Sequence, residues 1–243
     1  MKLLLANTVF QINNLYTYIE EYCKDYIYTG NRDIEFYIDV FDFDIEYERN
    51  KSRQEDIKEG NDIREFSDDY LETLAVYRKI CKCLLDKNII LFHGSVVSVD
   101  DVGYLFTAKS GTGKSTHTRY WCEYFKDRAL MINDDKPLID IKDDCVIVYG
   151  TPWDGKHRLS NNTKVKLKSI CVLNRGKENI ITKVDSSEIY GILLQQVYKP
   201  INSVDGMHKT LDLIDKLCKM VEFYSMNCTM NIEAAKVAYE GMK

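Results

Sequence analysis

The sequence predicts an α/β protein with a mixed sheet, preceded by a small β-rich N-terminal subdomain. Three observations carry that expectation. The run Tyr104 to Thr116 reads as a strand, a glycine-bearing loop and the first turn of a helix. From about residue 65 to residue 243, short apolar runs alternate with stretches of helical period. Before residue 65 the pattern is period-two and acidic. The expected domains are therefore 1–64 and 65–243.

Taken in order, residues 1–12 are strand-like, and 33–49 alternate apolar and acidic side chains as a half-exposed strand does. Residues 50–61 are polar and charged, end in a Gly60-Asn61 breaker, and read as a linker. A helix over 67–86 follows, with Asp69 and Glu72 as a capping pair and Leu71, Leu74, Tyr77, Cys81, Leu84 and Leu85 as its apolar stripe. Strands are expected at 89–93, 96–99 and 103–107, with Asp100-Asp101 as the tight turn between the last two. Beyond the glycine loop, Thr116, Tyr120, Trp121 and Tyr124 recur at helical spacing, and 129–132 form a buried strand ending in Asn133-Asp134-Asp135. A hairpin over 138–149, strands at 170–173 and 221–226, and helices at 187–198, 208–220 and 231–241 complete the expectation.

Composition narrows the function classes. The 243-residue chain carries 33 basic and 38 acidic residues, a net charge of −5, with no long basic block, which argues against nucleic acid or an anionic membrane as partner. No apolar run reaches the length of a membrane span, and the opening Met1-Lys2-Leu3-Leu4-Leu5 turns polar too soon for a signal peptide. The eight cysteines are scattered without a C-x-x-C pair, which reads as reduced thiols in a cytoplasmic protein without structural zinc.

The loop carries the chemistry. Gly111 and Gly113 allow backbone N–H groups to converge on one point, and the helix start adds its partial positive charge there. Lys114 supplies an ammonium for a β- or γ-phosphate, and the Ser115 hydroxyl is placed to ligate Mg²⁺. The whole stretch Ala108, Lys109, Ser110, Gly111, Thr112, Gly113, Lys114, Ser115 and Thr116 is thus the expected phosphate cradle. The strict pattern has glycine where Ala108 stands, so that position must keep a negative φ.

Phosphoryl transfer also needs a metal and a group that orients or deprotonates the acceptor. Asp134-Asp135, at a strand end after the loop, supplies two carboxylates: one can hold the metal while the other accepts a proton. His93 either orients a carboxylate or serves a structural role at its strand end. Lys156, His157 and Arg158 either contact phosphates or an acidic substrate, with Trp153 against a base or the loop backbone, or the segment is a solvated loop anchored by the tryptophan. Arg175 reads as a surface turn arginine, with neutralisation of transition-state charge as its other use.

Taken together, His93-Gly94-Ser95, the loop 108–115 and Ile132-Asn133-Asp134-Asp135 resemble the core of the HPr kinase/phosphorylase family. The run 110–116 also resembles the kinase loop of ATP-dependent phosphoenolpyruvate carboxykinases, whose fold those kinases share. Asp-Asp-Lys-Pro at 134–137 and Gly-Thr-Pro-Trp-x-Gly-Lys at 150–156 are similar to motifs of HPr-kinase-related bacterial proteins. The resemblance implies a P-loop kinase core of that type, using ATP and Mg²⁺ to phosphorylate a hydroxyl, serine being expected, of a protein or peptide. It implies Lys114 and Ser115 on the phosphates and Mg²⁺, Asp135 in metal binding, Asp134 as general base, His93 beside Asp134, and a homo-oligomer. A small-molecule kinase and a nucleotide-binding regulatory module without transferase activity are the alternative readings. The glycine-rich signature tied to phosphorylase activity has no counterpart in the chain, and no base-reading motif separates ATP from other nucleotides.

Overall fold

The chain first reverses direction at Ala6-Asn7, whose positive φ values of 46° and 61° suit a two-residue hairpin turn. This turn joins β1 (Lys2–Leu5) to β2 (Thr8–Asn13), splitting the strand expected over 1–12 into an antiparallel pair. The structure is a computed structural model that describes every residue except Ser110, Lys156, Ile201 and Asn202, and the side chain of Glu59. It divides into two compact units, Met1–Leu84 and Leu85–Lys243.

In the N-terminal unit a short helix α1 (Tyr18–Tyr22) precedes β3 (Phe36–Asp39), which pairs parallel with β2 to close a three-stranded sheet. The alternation expected to run as strand to residue 49 stops at Val40, and α2 (Asp42–Glu59) occupies the rest of that segment and nearly all of the expected linker. Two local signals explain the helix. The Asp44 carboxylate accepts the Phe41 N–H (3.1 Å) at its start, and Gly60 ends it at φ +70°. Its charged faces are held by partners distant in sequence: Arg78 pairs with Asp44 and Glu48, and Lys79 with Asp44.

Helix α3 (Asp68–Leu85) supplies the last residues of this unit, up to Leu84. Glu72 does not cap it as expected. Its buried carboxylate accepts the backbone N–H groups of Leu15 and Tyr16, so it satisfies a loop remote in sequence instead.

The C-terminal unit is built on one nine-stranded mixed sheet. In chain order its elements are β4 (Ile89–Leu91), β5 (Ser95–Val99), β6 (Val102–Thr107), α4 (Lys114–Phe125), β7 (Ala129–Asn133), β8 (Leu138–Ile141) and β9 (Val146–Tyr149). Then come β10 (Lys164–Arg175), β11 (Ile180–Val184), α5 (Ser186–Gln196), α6 (Val204–Met220), β12 (Glu222–Cys228) and α7 (Glu233–Met242). The sheet runs β4-β8-β9-β10-β6-β5-β7, with β12 also on β10 and β11 on β12. β10 lies parallel to both β6 and β12, whereas β5 is antiparallel to β6 and to β7.

Period-two alternation assigns each strand residue to one of two cores. Leu105, Ile170 and Val172 pack with Leu193 of α5 and Ile214 and Leu217 of α6 on one face. Tyr104, Phe106, Cys171 and Leu173 pack with Trp121 of α4 and Ala234 and Ala238 of α7 on the other. Helices thus cover both faces, the layered α/β arrangement the sequence led us to expect. All eight cysteines are free, and no described helix is long and apolar enough to cross a membrane.

Candidate active site

Strand β6 ends at Thr107, and the chain turns sharply through the glycine loop into α4. Gly111 (φ +73°) and Gly113 (φ +112°) take the left-handed conformations that only glycine adopts without strain. Gly113 is the residue that caps α4, so the helix opens at Lys114 with its first N–H groups facing the loop. Ala108 is not among the residues with positive φ and lies 1% exposed in the core with Phe106 and Trp121, so its methyl fits the loop. Ser110, expected in the cradle, and Lys156 lie outside the described residues.

Three segments come together around Lys114 and Asp134. The first is the short connection between β4 and β5, where the His93 N–H donates to the Gln196 carbonyl (2.7 Å) and its own carbonyl accepts from Thr107 Oγ1 (3.2 Å). The second is the end of β7. Asn133 fixes it: its side-chain oxygen accepts the N–H groups of Asp135 (2.9 Å) and Lys136 (2.7 Å). The third is the loop 150–155. Asn133 Nδ2 donates to the Thr151 carbonyl (3.1 Å), which ties this loop to the acidic pair.

The resulting contacts separate the two aspartates. His93 Nε2 stands 3.2 Å from Asp135 Oδ1 and 3.3 Å from Lys114 Nζ, between a carboxylate and an ammonium. The expected neighbour of His93 was Asp134; the imidazole lies on Asp135 instead, because Asp134 turns into the protein. There Asp134 Oδ1 accepts from Ser95 Oγ (3.0 Å) and Thr118 Oγ1 (3.5 Å). Lys136 Nζ flanks Asp135 at 3.4 Å.

Electrostatics follows the same division. Burial pushes the Asp134 carboxyl above its ordinary value, against the side chains of Ser95 and Ser115, which favour its ionised form. Burial acts on Asp135 too, but the His93 hydrogen bond and the charge of Lys136 outweigh it and hold that carboxyl down at about 2. Burial lowers the Lys114 ammonium, with Asp135 and Asp134 pulling it back.

Asp134 Oδ2 bears on a metal. It is buried and has no hydrogen-bond partner among the described residues, although Asp134 is only 2% exposed. A Cβ added to Gly155 would stand 2.9 Å from this oxygen, so the missing side chain leaves room beside it. An unpartnered buried oxygen, on a carboxyl whose ionised form the Ser115 side chain favours, fits a hard divalent cation such as Mg²⁺.

The remaining expected contacts resolve as follows. Trp153 is 1% exposed, a buried anchor rather than a platform for a base. Arg158 donates to the Pro152 carbonyl (3.1 Å) and pairs with Asp154 (3.4 Å). Arg175, at the end of β10, donates to the Gly111 carbonyl (2.6 Å) and so belongs to the loop's surroundings. Ser95 and Asn133 stood in the quoted motifs without a role, and Thr118 was not singled out from sequence. Thr118 was within reach, being one helical turn after Lys114 and hence on its face.

No family model matches this chain, and no curated protein matches it. Among solved structures, it is similar to the HPr(Ser) kinase/phosphatase from Coxiella burnetii, with 9% identity over 62% of this chain and 94% of that one. The TM-score is 0.35, a likeness too slight to carry an argument about fold or activity.

Proposed function

We propose that this protein is an ATP- and Mg²⁺-dependent phosphotransferase with a P-loop kinase core, moving a γ-phosphoryl group to a hydroxyl, with serine of a protein or peptide as the expected acceptor. One observation carries the reading: Lys114, His93 and Asp135 cluster beside the glycine loop, next to the buried, unpartnered oxygen of Asp134. A glycine-rich anion cradle, a lysine, an oxygen donor pair and a half-exposed acid are the parts that phosphoryl transfer requires.

In this reading the loop amides and the start of α4 hold the β- and γ-phosphates, with Lys114 as their cation. Asp134 Oδ2 and Ser115 would hold Mg²⁺, which when bound screens the charge on the transferring oxygens. Asp135, 28% exposed at its side chain, receives the acceptor hydroxyl, and His93 orients it. These acid roles are the reverse of those the family resemblance implies. Burial supports this exchange of roles: the Asp135 side chain is open to an acceptor hydroxyl, whereas Asp134 is only 2% exposed.

The test is incubation with γ-labelled ATP, Mg²⁺ and an extract of the source cells, followed by separation of labelled macromolecules from labelled metabolites. The wild type should label an acceptor. Lys114→Ala should not, and Asp135→Asn should reduce labelling by about 10²–10⁴-fold while still binding ATP. Equal labelling by wild type and Lys114→Ala would refute the reading. Full activity in Asp135→Asn would refute only the assignment of the base.

A further inference from the structure

The strand order gives the bound phosphate chain a direction. The glycine loop follows β6; on one side of β6 lie β5 and β7, with the acidic pair at the end of β7. On the other side lie β10 and β12, which end in Arg175 and in the segment 229–231. If the γ end of a triphosphate faces Lys114 and Asp134-Asp135, its nucleoside end leaves on the β10 and β12 side.

Met230 waits on that side. Its Sδ lies 3.2 Å from where a Cβ on Gly113 would stand, so the thioether rests over the residue that caps α4. The Tyr120 hydroxyl, one turn after Thr116 on α4, donates to the Met230 carbonyl (3.2 Å). Arg175 holds the Gly111 carbonyl at 2.6 Å on the same flank.

A single exposed methionine is ordinary on a protein surface. This one differs in how firmly its backbone is held. Thr229 donates through both its N–H and its hydroxyl to Asn179 Oδ1 (2.8 and 3.1 Å). Asn231 Oδ1 accepts from Asn179 Nδ2 (3.2 Å) and from the Ala234 N–H (3.3 Å). Pinned on both sides, Met230 is nonetheless 61% exposed beside the glycine loop. A polarizable thioether on a fixed backbone makes favourable contact with an aromatic ring.

We propose that Met230 is the stacking platform for the base of a nucleoside triphosphate whose phosphates occupy the glycine loop. The inference rests on the phosphate-loop reading above and adds the nucleobase as a recognised element. Tyr120 positions the platform. Recognition is by the flat face of the base and not by its hydrogen-bonding edge.

Titration calorimetry with ATP and with inorganic tripolyphosphate, both in excess Mg²⁺, tests it on the wild type, Met230→Ala and Met230→Leu. The wild type should bind ATP more tightly than tripolyphosphate. Met230→Ala should lose about three- to tenfold in ATP affinity and nothing for tripolyphosphate, the retained binding reporting an intact loop. Met230→Leu, which keeps an apolar contact, should lie between the two. Equal wild-type affinities for the two ligands would overturn the platform alone. So would a Met230→Ala protein that weakens both ligands in parallel, or neither. Failure of the wild type to bind either ligand would remove the phosphate-loop reading, and the platform with it.

Discussion

His117 lies one helical turn before Trp121 on α4, 3% exposed, and its Nε2 accepts the indole N–H at 3.1 Å. Burial lowers its pKa from the ordinary 6.5 to about 4. As pH falls, the unfolded chain takes up a proton near 6.5 and the folded chain does not until about 4. Unfolding therefore draws in a proton across that window, and acid favours it. The stabilisation is fully present above pH 6.5 and is lost progressively as pH drops towards 4. Between pH 7.5 and pH 5.0 this one group should cost the fold about 2 kcal/mol. Other groups titrate as well, so the comparison is with His117→Gln, whose amide oxygen can still accept from the indole. Urea unfolding followed by tryptophan fluorescence is suited to the purpose, because both tryptophans, Trp121 and Trp153, lie in the C-terminal unit. The wild type should lose about 2 kcal/mol more than His117→Gln over that interval. A difference under about 0.5 kcal/mol would mean that the imidazole titrates in the folded protein nearly as it does in water, and the argument from burial would fail.

Three further outcomes are expected. Gly155→Ala, by crowding Asp134 Oδ2 at 2.9 Å, should weaken Mg²⁺-dependent ATP binding by roughly tenfold while leaving Mg²⁺-free binding unchanged, as titration calorimetry would read. Trp121→Ala empties a fully buried indole site against Tyr104, Phe106 and Phe125, and should cost about 3–5 kcal/mol in urea denaturation. Gly60→Ala meets no atom within 4 Å but must hold φ +70°, so it should cost about 1 kcal/mol in the N-terminal unit through backbone strain alone.

Much of the C-terminal unit could be read from the chain. Strands β5 to β9 are short apolar runs between strong turn signals, and α4 follows directly from the glycine loop, so period and punctuation agreed. The N-terminal unit was harder. Helix α2 has polar residues nearly all round, with Asp44 and Glu48 satisfied by Arg78 and Lys79 of α3, and no periodic stripe announces it. Pairing with a remote segment held it together, and single-sequence periodicity is blind to that. The same limit applied within the site. The motif residues Lys114, His93, Asp134 and Asp135 were visible, but which acid faces His93 depends on Ser95 and Thr118 drawing Asp134 inward. Arg175 came to the loop only through the parallel pairing of β10 with β6.

That pairing also bears on how the molecule is made. β10 joins β9 at Lys164–Lys166 and β12 at Ser169–Arg175 along one course, while β6 lines it on another. During synthesis the glycine loop therefore emerges long before the strands that brace its flank, and β12 comes only at residues 222–228. Parallel, long-range pairing of this kind forms slowly. Until β12 arrives, Ile170 to Arg175 present an open backbone edge, the form of strand most prone to pair with a stranger. A nascent chain released before residue 222 would thus contain every residue of the loop and acidic pair, yet be a candidate for aggregation rather than for nucleotide binding.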